Sequence, residues 1–281
     1  MSHHVISDIR TREVLSAFSG VSLPQEISLF HFETVTSTMD IAKDIALGAI
    51  MPKAEVLGVG AGIGPVVVAR SDIQEKGRGR ENRIWVSPKG VGVYFTLLVI
   101  DWPQKVNLSG LSLAIGIAVV RMGKTLGINV SVKWPNDVVV FDEHGFKKLS
   151  GVLIEASTQS SRTHVSIGVG LNVLPVQVEG NVNATSLSEL GVSSIDADRA
   201  FPLLIREILL VLKEFQNVGF SGLREEWLTY SALIGRNVSI GGEVIHCKVI
   251  DVNNEGGLVV LNNNDGKVHV IYSGEVNVTR N

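Results

Sequence analysis

The sequence predicts a domain that mixes α and β structure, followed by a small unit built only from strands. From Leu29 to about Val173, β-rich runs alternate with helical stretches. After Leu233 the pattern changes to short strands separated by glycine- and asparagine-rich turns. We therefore divide the chain into residues 1–232 and a β-barrel-like unit at 233–281. Because about fifty residues is near the lower limit for independent folding, we expect the second unit to pack on the first.

The elements of the first domain follow from the spacing of apolar residues. A largely buried helix is predicted over Asn107–Leu126, with Gly127 at the position of a C-cap. Further helices are predicted over Asp198–Asn217 and Gly222–Tyr230. Strands are predicted at 30–32, 66–69, 91–99, 130–132, 138–141, 151–155 and 165–169. The glycine-spaced stretch 58–64 is typical of a surface loop.

Bulk properties favour a cytoplasmic protein without a membrane anchor. The first twelve residues lack the apolar core of a secretory signal, and the longest apolar run, Leu108–Val120, is too short to span a bilayer. The single cysteine, Cys247, fits a reducing compartment, and we expect it to be structural. The net charge of −3 provides no global attraction for nucleic acid, so any phosphate site must come from a local basic cluster.

A basic, glycine-rich loop runs from Gln74 to Gly90 between two predicted strands. Glycines allow a backbone to approach a ligand closely, and the three arginines Arg78, Arg80 and Arg83 carry planar charged groups that suit phosphate oxygens. Trp85 could cover an adenine ring or another flat group. The composition leaves two other interpretations open, a solvated turn and a contact to nucleic acid. The spacing fits neither a Walker A loop nor a Rossmann fingerprint.

A second basic segment, Lys133-Trp134-Pro135-Asn136-Asp137, lies between two short β runs. A lysine, an amide and a carboxylate side by side suit a phosphate site with a magnesium-bound water, although a structural Asx-turn with a surface lysine fits equally. Farther along, Lys148 precedes an apolar strand, where it could enter a pocket or remain solvated. Gly168 and Gly170 alternate with apolar residues and indicate close backbone approach to a ligand or a strand.

Taken in order, these segments resemble the biotin–protein ligase, or holocarboxylase synthetase, family. The resemblance is strong over about residues 30–175 and weaker to the C-terminus, which is similar to the family's SH3-like domain. It implies an α+β fold, a mixed β-sheet flanked by helices like that of class II synthetases. The matching elements are Thr36-Ser37-Thr38, the Gly77-to-Gly90 loop, Lys133-to-Asp137, Lys148 with Gly151 and Glu155, and Gly168, Gly170 and Asn172.

The resemblance also assigns roles to individual residues. Lys148, Arg80, Lys133 and Asp137 are implied to be catalytic, and Asp137 is the implied magnesium ligand, either directly or through water. The residues implied to bind biotin are Ser37, Thr38, Gln74, Gly77, Arg78 and Gly151. Those implied to bind ATP or the adenylate are Arg80, Arg83, Trp85, Asn136, Lys148 and Asn172. Met39 departs from the family pattern, in which asparagine is common at this position.

The activity implied by the resemblance is ATP- and Mg²⁺-dependent joining of biotin to a protein. Biotin would form biotinyl-5′-AMP and then pass to a lysine of a biotin carboxyl carrier domain of a carboxylase. The glycine-rich loop would act as a lid that keeps water from the adenylate. About thirty residues precede the first predicted strand, too few for the DNA-binding domain of repressor-type members, so we expect a ligase that does not bind nucleic acid. A homodimer is an open alternative to a monomer.

Two other functions remain as alternatives. A lipoate–protein ligase or octanoyltransferase has a related fold and mechanism, although the Gly-Arg-Gly-Arg loop and the Lys-Trp-Pro-Asn-Asp segment fit biotin ligases better. A non-catalytic nucleic-acid-binding module could use the arginine-rich loop. It would be retained on DNA or RNA with a steep salt dependence.

Overall fold

The computed structural model describes residues 18–49, 55–57, 65–143, 145–159, 161–176, 183–241 and 245–279. An eight-stranded sheet forms its largest part, in the order β2-β1-β3-β4-β8-β7-β6-β5. Strands β1 and β3 pair in parallel, and the other neighbours pair antiparallel. In chain order, β1 to β8 are Ile27–Val35, Glu55–Leu57, Val66–Gln74, Gly92–Val99, Ser131–Lys133, Asp137–Asp142, Gly145–Gln159 and Arg162–Asn172.

Helices cover both faces of this sheet. Helix α1 (Thr38–Ala46) packs on one face, where Ile41 joins Phe30 and Phe32 of β1 in a small buried cluster. Helices α2 (Leu111–Thr125) and α3 (Ala197–Tyr230) lie on the other face and share the main core with it. The predicted α+β class, a mixed sheet flanked by helices, is therefore confirmed.

Three helices differ from the sequence-based expectation. Helix α2 begins at Leu111 rather than Asn107, because Gly110 takes a left-handed φ of 77°. The two helices predicted near the C-terminus of the first domain are halves of α3, divided at Gly219, whose φ of 64° breaks the helical path. Helix α1 was not predicted. The glycine-spaced stretch 58–64 and the N-terminal twelve residues lie outside the described residues.

The C-terminal strands form a five-stranded antiparallel sheet in the order β12-β11-β10-β9-β13. The strands β9 to β13 are Asn237–Ile240, Ile245–Val252, Leu258–Asn262, Val268–Ile271 and Val276–Val278. This arrangement is consistent with the expected SH3-like unit.

The second sheet packs on the first domain, as expected. Val249 and Leu258 belong to the same hydrophobic core as α2, and the Trp134 indole donates a 3.0 Å hydrogen bond to the Gly256 carbonyl. Cys247 is buried in this sheet, where desolvation raises the pKa of its thiol, as suits a structural residue. The boundary at 232/233 stays a prediction. Among the described residues, no helix has the length and apolar character needed to cross a membrane.

Candidate active site

A cavity of about 1420 Å³ opens on the face of the large sheet that carries α1. It brings together nearly all of the residues singled out from the sequence, although they come from separate segments of the chain. Those that line it are Ser37, Thr38, Gln74, Arg78, Arg80, Arg83, Trp85, Lys133, Asn136, Asp137, Lys148 and Gly151. Two of its parts differ in chemistry. We call Ser37, Thr38 and Gln74 the uncharged part, and Arg78, Arg80, Arg83 and Lys148 the cationic part.

The uncharged part lies where α1 begins beside the end of β3. Ser37 is the N-cap of α1, and its hydroxyl accepts a hydrogen bond from the backbone N–H of Met39 at 3.3 Å. The carboxamide oxygen of Gln74 accepts two hydrogen bonds from Thr38, from its N–H at 2.9 Å and from its hydroxyl at 3.1 Å. These hydrogen bonds therefore fix the start of α1 against the end of β3.

Two hydroxyls without a predicted role extend this network. Thr96 of β4 donates to the Thr38 hydroxyl at 2.9 Å, and the Gln74 amide donates to the Ser87 hydroxyl at 2.9 Å. Ser87 in turn donates to the Trp85 carbonyl at 3.0 Å. Thr96 gave no sequence signal because it lies in the middle of a β run. Ser87 belongs to the Gly77-to-Gly90 loop motif, and that membership was the sequence signal that could have found it.

The glycine-rich loop folds back on itself. The Trp85 N–H donates to the Gly77 carbonyl at 2.9 Å, and the Gly79 N–H donates to the Arg83 carbonyl at 2.8 Å. A side chain at Gly77 would place its Cβ 2.3 Å from the Trp85 carbonyl oxygen, so the close return requires glycine here. Glu81 and Asn82 take left-handed φ values of 55° and 59° at the tip.

Trp85 lies flat against the sheet. A Cβ on Gly170 would come within 2.2 Å of its indole ring, and a Cβ on Gly151 within 3.0 Å, so both glycines provide room for this ring. The Lys148 ammonium is 5.2 Å from the ring centroid. Trp85 thus connects the two parts of the cavity. Its carbonyl accepts the hydrogen bond from Ser87, which contacts the uncharged part, and its ring lies beside Lys148 of the cationic part. The indole N–H has no acceptor within the described portion of the chain.

In the cationic part, each charged group pairs with a protein partner. Lys148 Nζ lies 2.6 Å from Asp137 Oδ1, and Arg80 Nη1 donates to Asn136 Oδ1 at 3.4 Å. Asn136 is held in place by its own amide, which donates to the Val152 carbonyl at 2.8 Å.

The two remaining arginines of the cationic part pair with carboxylates. Arg83 makes a two-pronged contact to Glu275, at 2.7 and 3.2 Å, and this contact raises the pKa of its guanidinium. Arg78 lies 3.2 Å from Glu155 and 3.3 Å from Asp40. The Arg78 and Arg83 side chains are 37% and 56% exposed, so their ion pairs are weakly held.

Lys133 enters the cavity from β5. Burial lowers the pKa of its ammonium, and the nearby carboxylates of Asp137 and Glu275 oppose that shift. Its ammonium also lies 5.6 Å from the centroid of the Phe146 ring. The neighbouring Trp134 is buried and points toward the second sheet, so this segment supplies both a cavity residue and an interface residue.

Two predicted site residues do not line the cavity. Gly77 instead accepts the hydrogen bond from the Trp85 N–H where the loop folds back on itself. Asn172 is buried, and its amide donates to the carbonyls of Lys148 at 3.3 Å and Thr185 at 3.0 Å. This geometry supports the backbone that carries Lys148, and the adenine-side role for Asn172 stays a prediction.

Other lining residues were missed by sequence reasoning. Glu275 and Asn277 come from the end of the C-terminal sheet, and Asn183 from the segment that follows β8. Met39, noted as a departure from the family pattern, is buried against Gly168, where a Cβ would come 2.8 Å from its sulfur. Glu275, Asn277 and Asn183 are identified as lining residues only by their positions in the fold.

Comparison with known proteins places this architecture among characterised relatives. A sequence profile of the Biotin/lipoate A/B protein ligase family matches residues 64–172. The bifunctional ligase/repressor BirA of Escherichia coli is 29% identical over 92% of this chain and 81% of its own length. The biotin–[acetyl-CoA-carboxylase] ligase of Mycobacterium tuberculosis is 30% identical, over 75% of this chain and 78% of its own.

Among solved structures, the biotin protein ligase of Aquifex aeolicus in complex with biotin and ATP superposes with a TM-score of 0.70. The two chains are 28% identical, and the match covers 90% of this chain and 99% of that one. Fold and cavity together define an enzyme of the biotin/lipoate protein ligase class. Within that class, the chain belongs to the biotin–protein ligase family.

Proposed function

We propose that this ligase activates biotin with ATP to biotinyl-5′-AMP and pyrophosphate, and then transfers the biotinyl group to a lysine. The acceptor is a biotin carboxyl carrier domain of a biotin-dependent carboxylase. The observation that carries the proposal is the convergence of cations from separate segments on a single cavity, next to an uncharged part built from Thr38 and Gln74. Biotin has a neutral ring, which suits the uncharged part of the cavity. Its anionic carboxylate and the phosphates of the nucleotide suit the cationic part.

The residues divide accordingly. We assign the biotin ring to the uncharged part together with Gly77, Arg78 and Gly151. We assign the adenylate to Arg80, Arg83, Trp85, Asn136, Lys148 and Asn172. Two observations support this division: the cavity lining, which includes all of these residues except Gly77 and Asn172, and the similarity to a ligase whose structure contains biotin and ATP.

In the first step, a biotin carboxylate oxygen bonds to the α-phosphorus of ATP while the bond to pyrophosphate breaks. Two anions must approach, so cations aimed at the developing charge lower the barrier. Lys148 can serve both anions, because its Nζ lies in the cavity beside Trp85. In the second step, the acceptor amine attacks the acyl carbon, the bond to AMP breaks and the amine loses a proton. No covalent intermediate with the enzyme is needed.

Magnesium fits this site as an ion that the nucleotide brings. Mg²⁺ is usually held by one or two carboxylates together with substrate phosphates. Asp137 supplies one carboxylate in the cavity, and the described residues contain no cluster of three or more potential ligands among His, Cys, Asp and Glu. Asp137 would hold the ion, directly or through water, and the ion would neutralise charge on the leaving pyrophosphate.

The test is transfer of label from biotin to an apo carrier domain in the presence of ATP and Mg²⁺. We expect labelled carrier, biotin-dependent pyrophosphate release and no transfer from lipoate or octanoate. Labelling from lipoate would instead favour the lipoate-ligase alternative. Binding to DNA or RNA with a steep salt dependence, without pyrophosphate release, would favour the nucleic-acid alternative.

A further inference from the structure

We infer that two buried hydroxyls, those of Thr96 and Ser87, hold in place the hydrogen-bonding groups that Thr38 and Gln74 offer to the cyclic urea of biotin. This inference deepens the proposed biotin-binding role of the uncharged part and rests on it. Thr96 is fully buried and Ser87 is 4% exposed, and neither lines the cavity. They act through their neighbours and are therefore positioning residues.

The polarity is dictated by groups that have no choice of role. The backbone N–H of Thr38 donates only, and it points at the Gln74 side chain at 2.9 Å. The atom that it meets must be the carboxamide oxygen, which fixes the orientation of the amide. The Thr38 hydroxyl, 3.1 Å from the same oxygen, must then donate its one proton to it. Thr96, 2.9 Å from that hydroxyl, has to be the donor of the next bond.

The other end of the network is equally determined. With its oxygen turned to Thr38, Gln74 directs its –NH₂ group to Ser87, which accepts at 2.9 Å. The Ser87 proton goes to the Trp85 carbonyl at 3.0 Å, and a carbonyl oxygen only accepts. Every hydrogen bond from Thr96 to Trp85 thus runs in a known direction.

The donors and acceptors of Thr38 and Gln74 that remain unused define what these two residues offer to a ligand. Both lone pairs of the Gln74 oxygen are taken, and one of its two N–H groups is used. The Thr38 hydroxyl has given its proton and filled one lone pair. One N–H of Gln74 and one lone pair of Thr38 are left, on two residues that both line the cavity. A cyclic urea carries the complement, a carbonyl oxygen beside N–H groups.

The same arrangement disfavours a guanidinium, which offers N–H donors on every side. The free N–H of Gln74 would then face another donor. Without the Ser87 oxygen, the amide loses the partner that holds its –NH₂ group in place for a urea carbonyl, although the Thr38 N–H still fixes the position of the carboxamide oxygen. A guanidinium does not use that –NH₂ group, so its binding loses little. Without the Thr96 hydroxyl, Thr38 loses the bond that holds its oxygen in position.

The experiment compares biotin with iminobiotin, in which a guanidinium replaces the urea at neutral pH. Calorimetry without nucleotide gives the Kd of each ligand. For Ser87→Ala we expect the Kd for biotin to rise about tenfold, the value of one lost hydrogen bond, and the Kd for iminobiotin to stay within about twofold. The KM for biotin should rise in parallel, while kcat at saturating biotin changes by less than about twofold.

Thr96→Val is isosteric and provides an independent test if Ser87→Ala is unstable. It should weaken biotin binding by about threefold to tenfold, and Thr96→Ser should restore most of the affinity. Thr158→Val, at the exposed end of the β7–β8 hairpin, is the matched control and should leave both Kd values unchanged. Thermal unfolding of each variant verifies that it is folded.

Equal losses for biotin and iminobiotin in Ser87→Ala, or a Thr96→Ser variant as weak as Thr96→Val, would overturn the inference. If the wild-type protein binds biotin and the Ser87 and Thr96 variants bind it equally well, the positioning role alone fails. If the wild-type protein gives no heat with biotin, the proposed function fails and this inference falls with it.

Discussion

The uncharged and cationic parts of the cavity are held together in different ways. In the uncharged part, neutral groups satisfy one another: the buried Thr38, Ser87 and Thr96 and the half-buried Gln74 form one continuous network. In the cationic part, half-exposed ion pairs such as Arg83 to Glu275 hold the side chains. Buried neutral networks are costly to rearrange, whereas exposed ion pairs contribute about 0–1 kcal/mol. Under the proposed function, the difference predicts a rigid site for the vitamin and an exchangeable one for phosphates.

The largest effect is expected at Lys148, beside which the proposed mechanism brings the two reacting anions together. Lys148→Met should lower kcat/KM for biotin-dependent pyrophosphate release by about 10²–10³-fold, because a cation aimed at the developing charge is removed. Lys147→Met is the matched control, since Lys147 pairs with Asp142 at 2.8 Å and does not line the cavity. Similar losses in both variants would contradict the role of Lys148.

Arg80 tests whether the loop retains the intermediate. Its guanidinium reaches from the loop to Asn136 on the β5–β6 turn, so it links two walls of the cavity. Arg80→Gly should release biotinyl-AMP about 10- to 100-fold faster and label bystander lysines, as the loss of a charge-assisted contact predicts. Rapid filtration of the enzyme–adenylate complex measures this, with Arg162→Gly, at the exposed start of β8, as control. Unchanged retention would show that the role assigned to Arg80 is wrong.

Lys133 is expected to make the activity depend on pH. Burial lowers the pKa of its ammonium below the ordinary value of 10.5, so catalysis that needs this charge should decline as pH rises through the lowered pKa. Lys133→Arg keeps its charge and should flatten the alkaline limb of a kcat/KM profile for pyrophosphate release. Identical alkaline limbs would exclude a need for the charge.

The same shift affects stability in a definite direction. Between the lowered pKa and 10.5 the unfolded chain binds more protons at Lys133, so its contribution to the free energy of unfolding rises with pH. Below the lowered pKa, the penalty for burying the charged form is present in full. Removing the amine with Lys133→Met should abolish this dependence, as measured by urea unfolding at several pH values.

The smallest effect concerns the ion pair between the loop and the C-terminal sheet. Glu275→Gln frees Arg83 for phosphate and should lower the KM for ATP about threefold, with a change in unfolding free energy below about 1 kcal/mol. Glu255→Gln, in an exposed turn of the same sheet, is the control. A rise in the KM for ATP would instead show that Glu275 positions Arg83 productively.

Local patterns predicted much of this molecule. Apolar runs such as Val66–Val68 and Val93–Val99 form buried strands, because their composition suits a sheet covered on both faces. Some of the motif residues reached one cavity because they stand at strand ends of the same sheet, as Gln74 and Lys133 do, whereas Gly151 lies in the middle of β7. Helix α1 escaped prediction because it has nine residues, and its Ser37 cap was interpreted as a ligand contact alone.

The motif residues and their order along the chain carried the resemblance that predicted the ligase family, and nearly all of the site residues implied by that resemblance line the cavity. The tertiary structure decided which partners those residues have: Ser87 and Thr96 behind the uncharged part, and Glu275 against Arg83. The physical reason is distance along the chain. Residue type limits what a side chain can donate or accept, but contacts between segments 58 or 192 residues apart depend on how the sheet brings them together.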